Sequence, residues 1–299
     1  MRSIPIFFTI LSFLSLESKC QQLFTSSLYD IQGNLHNPAV SGTSKLTQLG
    51  ASYRGMWTGI NGSPSTAIVF GSTFFAKSNI GFGGYLYSDI TGPTSRRGLQ
   101  TSYAYHIPFN ADTWFSLGLE ARFTQFSIDK TLLQESLAND PILAGASNQF
   151  KGDAGFGIAV TNLRYQFGLS VSHLIQSRLN FYSGSLSRSV TARLYRHYYL
   201  HGNYIWDVDK GARIIPNLLL IYLPNAPVEL QAGVRVELKN LFWWGLSLRA
   251  RQSWMLSAGI NIKKSLTVGY SFDIYSTPLS VFDKGPNAHE IILKYNLHK

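Results

Sequence analysis

From about Leu46 to the last residue the chain alternates between apolar and polar positions. Phe115, Leu117, Leu119, Ala121 and Phe123 are interleaved with Ser116, Gly118, Glu120 and Arg122. Val228, Leu230, Ala232, Val234, Val236 and Leu238 are interleaved with Glu229, Gln231, Gly233, Arg235 and Glu237. A period of two places alternate side chains on opposite faces of a strand. The pattern predicts about fourteen strands, with cores near 46–57, 64–75, 80–88, 97–107, 113–126, 151–161, 163–174, 188–206, 211–223, 226–238, 241–251, 253–262, 265–275 and 287–297. Most reach the ~9–11 residues that a tilted strand needs to cross hydrocarbon.

The connections support this count. Those at 76–79, 108–112, 162, 207–210, 239–240 and 263–264 are short, while 88–97, 127–150, 175–187 and 276–286 are long. Long loops alternating with tight turns are the signature of an up-and-down antiparallel barrel in an outer membrane, with the short turns in the periplasm. The connections near Pro224 and Gln252 are short on the side expected to carry long loops. Several aromatics fall near predicted strand ends and are expected to form interfacial girdles: Trp57, Trp114, Trp206, Trp243 and Trp244, with Tyr87, Tyr105, Tyr222 and Tyr275. Glycines within strands, Gly81, Gly83, Gly84, Gly155 and Gly157, suit sharp curvature or a crowded lumen.

Composition agrees with a membrane barrel. Charged residues make up 14% of the 299 positions, against about 25% in ordinary soluble chains. Past the N-terminus no apolar run is long enough for a helical span. Residues 1–20 read as a signal peptide, with Arg2 ahead of the apolar Ile4 to Leu16 and small residues Ser18 and Cys20 before Gln21. Residues 21–45 read as a short N-terminal periplasmic arm with a turn at Asn37-Pro38, and 46–299 as the barrel. Cys20 is the single cysteine, so cleavage after it leaves no disulfide and no thiolate metal site. A formal charge of +10 is spread along strands and, in an exported protein, does not point to nucleic acid; it suits anionic lipid or acidic partner surfaces.

No catalytic set emerges, and no cofactor or metal site is expected. His197 and His201 share a strand face, but four strand residues put them ~13 Å apart. Glu120 with Arg122, and Glu229, Arg235 and Glu237, are expected to face the lumen, where they either line an aqueous path or form ion pairs that close it.

Several segments resemble the PorP/SprF family of Bacteroidota outer-membrane proteins, which is associated with type IX secretion and gliding motility. They are Asn37-Pro38-Ala39-Val40-Ser41-Gly42, Tyr53 to Pro64 (YRGMWTGINGSP), Gly81-Phe82-Gly83 followed by Ser88 to Thr94, Ser102 to Pro108 (SYAYHIP), Gly269 to Asp273 (GYSFD), and Asn287 to Ile291 (NAHEI). Val40 stands where the family has an aromatic, and Gly55-Met56 replace a polar pair. The resemblance implies a non-enzymatic barrel of about fourteen strands. Its partners would be a secreted cargo with a type IX C-terminal domain, such as an adhesin, or the periplasmic ring with its lipoprotein and peptidoglycan-binding components. From architecture alone the alternative is a general porin or small-solute channel. Arg54, Trp57, Asp89, Arg96 and Arg97 are expected to form a partner-binding rim at the outer strand ends. Leu133 and Leu137, in the apolar 127–150 loop, are expected to help cover or plug the mouth.

Overall fold

A computed structural model describes residues 25–57, 60–134, 147–179, 181, 192–224, 226–263, 265–276 and 288–297. Its main element is a closed antiparallel barrel of fourteen strands. In chain order these are β1 Thr47–Met56, β2 Ser65–Phe75, β3 Ile80–Thr91, β4 Thr94–Pro108, β5 Trp114–Ile128, β6 Asn148–Thr161, β7 Tyr165–Ser172, β8 His197–Tyr204, β9 Ala212–Tyr222, β10 Glu229–Leu238, β11 Phe242–Arg249, β12 Ser253–Ile262, β13 Leu266–Tyr275 and β14 Ala288–Leu297. Each strand pairs with its sequence neighbours, and β1 closes the ring against β14, from Thr47 opposite Leu297 to Met56 opposite Ala288. Closure matters because lipid offers no partner for an unpaired strand edge.

Every strand foreseen from the alternation is present. The differences lie at the ends. The stretch 88–97, expected as a long connection, is mostly ladder: β3 and β4 pair up to Thr91 opposite Thr94, around a turn in which Gly92 has φ 55. The 188–206 strand begins later, at His197, and the pair Trp206–Asp207 extends its line against β9. At the β10–β11 turn Lys239 and Asn240 both adopt φ 52, the left-handed pair whose twist matches an antiparallel hairpin.

The two faces separate cleanly. On β5 the inward positions are Ser116, Gly118, Glu120, Arg122, Thr124 and Phe126, while Leu117, Leu119 and Phe123 are exposed on the outer wall. The girdle expectation needs correcting at four positions, one of them Tyr275, which shares the inward face of β13 with Asp273 and whose hydroxyl accepts from Arg54 at 3.3 Å. Trp243 is 1% exposed and lies inside the bore, whereas its neighbour Trp244 faces out. Trp114 takes an inward position at the periplasmic end, with the Lys45 Nζ 4.3 Å from its ring centre. Tyr87 also faces inward, and its hydroxyl bonds Thr124. Tyr105, Trp206, Tyr222 and Trp244 are exposed, as a lipid-facing belt requires.

The largest correction concerns residues 25–45. This segment is not an arm beside the barrel; it passes through the bore. Ser26 and Ser27 sit beside Glu290 and Asp273 near the outer strand ends, and the chain descends through a short helix α1, Tyr29–Gln32, and a 3-10 turn, Pro38–Val40, to enter β1 at the periplasmic end. Leu28, Ile31 and Leu35 join Ile68, Phe70, Tyr85, Trp243 and Ile292 in a buried apolar cluster within the lumen. Glycines on the wall make room for the segment. A Cβ on Gly118 would overlap the backbone of Ala39, one on Gly81 the carbonyl of Ser41, and one on Gly157 the side chain of Asn37.

These contacts predict that Gly118→Val destabilises the barrel by about 1–3 kcal/mol through overpacking. Gly152→Ala, whose Cβ would meet nothing closer than Phe123 at 3.7 Å, serves as the neutral control. Thermal loss of the compact, heat-modifiable form on a gel reads both.

Candidate functional site: a plugged bore and an outer cavity

The plug is held at both ends by polar contacts. At the outer end Arg54 of β1, Asp273 of β13 and Glu290 of β14 project inward and are almost completely buried. Arg54 pairs with Asp273 at 2.7 Å and with Glu290 at 3.3 Å. Ser26 Oγ donates to Glu290 at 2.6 Å, and the Ser27 N–H donates to the other Glu290 oxygen at 2.7 Å. Ser27 Oγ donates to Asp273 and accepts from Arg54 at 2.7 Å. Gln32 Nε2 donates to Glu290 at 2.9 Å. Arg249, 3.6 Å from Asp273 and 3.3 Å from Glu229, extends the network. Buried charges persist only when paired and hydrogen-bonded, and here the plug supplies several of the bonds.

At the periplasmic end the Asn37-Pro38-Ala39-Val40-Ser41-Gly42 segment locks onto β3 to β8. The Asn37 side chain caps the 3-10 turn, accepting from the Ala39 N–H at 2.9 Å. Its amide donates to the Ile158 carbonyl at 3.0 Å and lies 3.0 Å from His201 Nε2. Ser170 Oγ donates to the His36 carbonyl at 2.5 Å. Ser41 Oγ meets Ser102 Oγ at 2.6 Å, and His106 Nε2 donates to the Ser41 carbonyl at 2.9 Å. Between the anchors, Asp30 pairs with Arg235 at 2.6 Å and the Tyr29 hydroxyl donates to Asn217 at 2.8 Å.

Above the plug, toward the outer end, lies a cavity of about 360 Å³. Leu35 and His36 of the plug form part of its lining, with Tyr85, Tyr87, Phe126 and Tyr199 as aromatic wall and Arg96, Arg122 and His197 as polar groups. The Glu120–Arg122 pair, at 3.1 Å, closes on itself within the bore, as do Arg235 and Glu237 at 3.3 Å. Of the two readings open for these charges, ion-pair closure is the one observed. His197 and His201 are both buried on the inner face of β8, and no cluster of metal-binding side chains occurs among the described residues.

Residues 18–295 match the family described as Type IX secretion system membrane protein PorP/SprF. The chain belongs to this family. It is therefore a membrane component of the type IX secretion system, from a family not known for enzymes, and the lipid-facing barrel places it in the outer membrane. No curated protein matches the chain. Among solved structures it resembles "CymD monoaromatic hydrocarbon channel", with TM-score 0.52 and 11% identity over 90% of this chain and 93% of that one. It also resembles a Pseudomonas aeruginosa FadL homologue, with TM-score 0.51 and 10% identity over 88% and 93%. A third is the Acinetobacter baumannii outer membrane protein Omp33, with TM-score 0.50 and 7% identity over 85% and 98%. At these identities the likeness is one of fold.

The residues expected to form a rim on this PorP/SprF barrel divide into two groups. Arg54 belongs to the outer plug anchor; at 3% exposure it offers nothing to an external partner. Asp89 is also buried, accepting from Thr66 at 2.8 Å and from Arg96 Nη2 at 2.6 Å. Arg97 is exposed on the opposite face of β4, and Trp57 is half-buried with φ 52 just beyond β1. Leu133 lies in the short helix Thr131–Gln134, and Leu137 falls outside the described residues. Ser26 and Ser27 carry no motif in the sequence, and Asn37, Asp273 and Glu290 stood out there only as parts of family-like segments, although the strand phase carried a signal. Ser52 and Arg54 share the polar face opposite Ala51 and Tyr53, so Arg54 had to point inward.

Arg54→Met removes the cation between two buried carboxylates. Breaking such a pair costs about 3–5 kcal/mol. The expected outcome is a lower melting temperature in detergent together with raised ion conductance in planar bilayers, as the plug loses its outer anchor. Unchanged melting and conductance would show that Arg249 suffices.

Proposed function

We propose that this PorP/SprF protein is a closed, protein-binding platform, which holds a secreted cargo by its type IX C-terminal domain at the outer end of the barrel and meets the secretion machinery on the periplasmic side. The observation that carries this reading is the bore-filling segment from Leu28 to Ser41, buried along its length apart from Gly33 and the partly covered Asp30 and anchored at both ends. A barrel whose lumen is occupied by its own chain is poorly suited to diffusion, and family membership supplies the context of secretion. The outward Arg97 and the half-buried Trp57 offer polar and aromatic contact groups at the same end as the long loops.

The second reading is a small-solute channel. It draws on the fold likeness to a monoaromatic hydrocarbon channel, and on the outer cavity, which would serve as a vestibule.

Gentle detergent extraction of the tagged protein from its native outer membrane, followed by mass spectrometry, separates these readings. Co-purification of a large secreted protein with a type IX C-terminal domain is expected, and Arg97→Glu should lower its yield if the partner surface is acidic. Recovery of ring components without cargo would assign a role in core secretion instead. A barrel that emerges alone and conducts ions in planar bilayers would overturn the platform reading.

A further inference from the structure

The outer cavity holds an unusual set of unfilled valences. Among the described residues, the buried side-chain atoms without a hydrogen-bond partner include His36 Nε2, Arg122 Nε and His197 Nδ1. All three belong to residues that line this one cavity, and they come from the plug, β5 and β8. Buried polar atoms are paired in the great majority of cases, and an unpaired group costs about 1–3 kcal/mol. Unpaired atoms on three residues that border a single space mark a place suited to a polar group.

The chemistry of that group follows from what surrounds it. The carboxylates nearby are already engaged. Asp89 takes bonds from Thr66 and from Arg96 at Nε and Nη2. Glu120 accepts from Gln100 at 3.0 Å and from Arg122 Nη2 at 3.1 Å. Asp153 is bonded to His173 at 3.0 Å. Arg122 Nε–H is a donor only, so its missing partner is an acceptor, and an imidazole in the matching tautomer can donate to the same group. Aromatic and apolar groups form one part of the lining, beside hydroxyls such as Thr94, Ser95 and Thr124: the Tyr85 ring lies 5.9 Å from the Arg122 guanidinium, the Tyr199 ring stacks 6.3 Å from His197, and Phe126 and Leu35 add to the wall. The volume of about 360 Å³ is at the small end of ligand sites, which span about 300–1,000 Å³.

We propose that the outer cavity binds a carboxylate carried on an apolar, preferably aromatic, body, with Arg122 and His197 donating to the carboxylate and the tyrosines enclosing the body. The source is either a free organic acid or the carboxyl end of a polypeptide. The inference stands apart from the cargo reading, because a titration of the isolated barrel reads the cavity alone.

The test is isothermal titration calorimetry of the purified full-length protein in detergent with four probes: 3-phenylpropionate, its neutral amide, the peptide Gly-Gly-Phe, and the same peptide with its terminus amidated. The expected result is binding of at least one acid, with its amide weaker by about tenfold or more, since the charge-assisted bonds are lost. Binding of the small acid alone identifies a free organic ligand; binding of the peptide acid identifies a chain end. His197→Phe keeps the ring packing and removes the nitrogen. Thr91→Trp fills the cavity from its rim and leaves the Arg122–Glu120 pair untouched. Each should weaken the acid about tenfold while heat-modifiable migration shows a folded barrel. Acid and amide binding equally, or no heat from either acid at millimolar concentration, would overturn the proposal.

Discussion

A wall one strand thick faces two media at once, and the rest of the structure follows from that constraint. Lipid outside demands apolar side chains at every second position, so the alternate positions must turn polar groups into the bore. Fourteen such strands enclose a polar interior that needs either water or a polar filling. Here the chain provides the filling itself. The segment ahead of β1 is rich in Ser, Asn, Gln and Gly, and these residues complete bonds that the wall leaves open: Ser26 and Ser27 for Glu290 and Asp273, Asn37 for the Ile158 carbonyl. Its apolar residues, Leu28, Ile31 and Leu35, find the few inward apolar positions on the wall, among them Trp243 and Ile292.

The strands were legible in the sequence because their period reports a difference between the two faces, and that difference is imposed by the surroundings rather than by distant contacts. The plug was not legible for the converse reason. Residues 25–45 have no period, and the partners that hold them are remote in sequence: Ser26 and Glu290 are 264 residues apart. A polar, aperiodic stretch reads equally well as a solvent-exposed arm. The same limit explains the adjacent Trp243 and Trp244. Position near a strand end suggested an interfacial role for both, yet alternation requires one of two neighbours to face the bore. Gly259 and Gly269, whose Cβ atoms would strike the Trp243 ring, show what the inward tryptophan needs. The 88–97 misreading has a local cause. Ser88, Asp89, Ser95 and Arg96 look like loop chemistry, but Asp89 and Arg96 face inward and satisfy each other across the β3–β4 ladder.

The family-like segments acquire a common meaning once placed in space. Asn37 to Gly42 packs on Gly81-Phe82-Gly83 and on the segment containing Ser102 and His106. Arg54, from the Tyr53 to Pro64 segment, meets Asp273 and Glu290, from the two closing segments. Motifs spread from residue 37 to residue 291 thus assemble into two anchors of one plug. They describe how the bore is closed. The anchors themselves are buried, so they leave no surface for an external partner.

Closure and the outer cavity share residues, and that sharing has a thermodynamic consequence. Leu35 and His36 belong both to the plug and to the cavity lining, and His36 also borders a smaller cavity beside Asp30, Gly33 and His201. His36 is thus common to the linings of both spaces. A ligand that touches Leu35 and His36 from the outer side meets those contacts only when the plug is seated, so its binding free energy adds to that of the plugged state. Linkage runs in the other direction too: whatever loosens the plug at Arg54 or Asn37 lowers apparent affinity in the cavity in proportion to the fraction of barrels left plugged. If the cavity takes a ligand, a barrel filled by its own chain would couple events at its outer face to the state of its bore through these two plug residues.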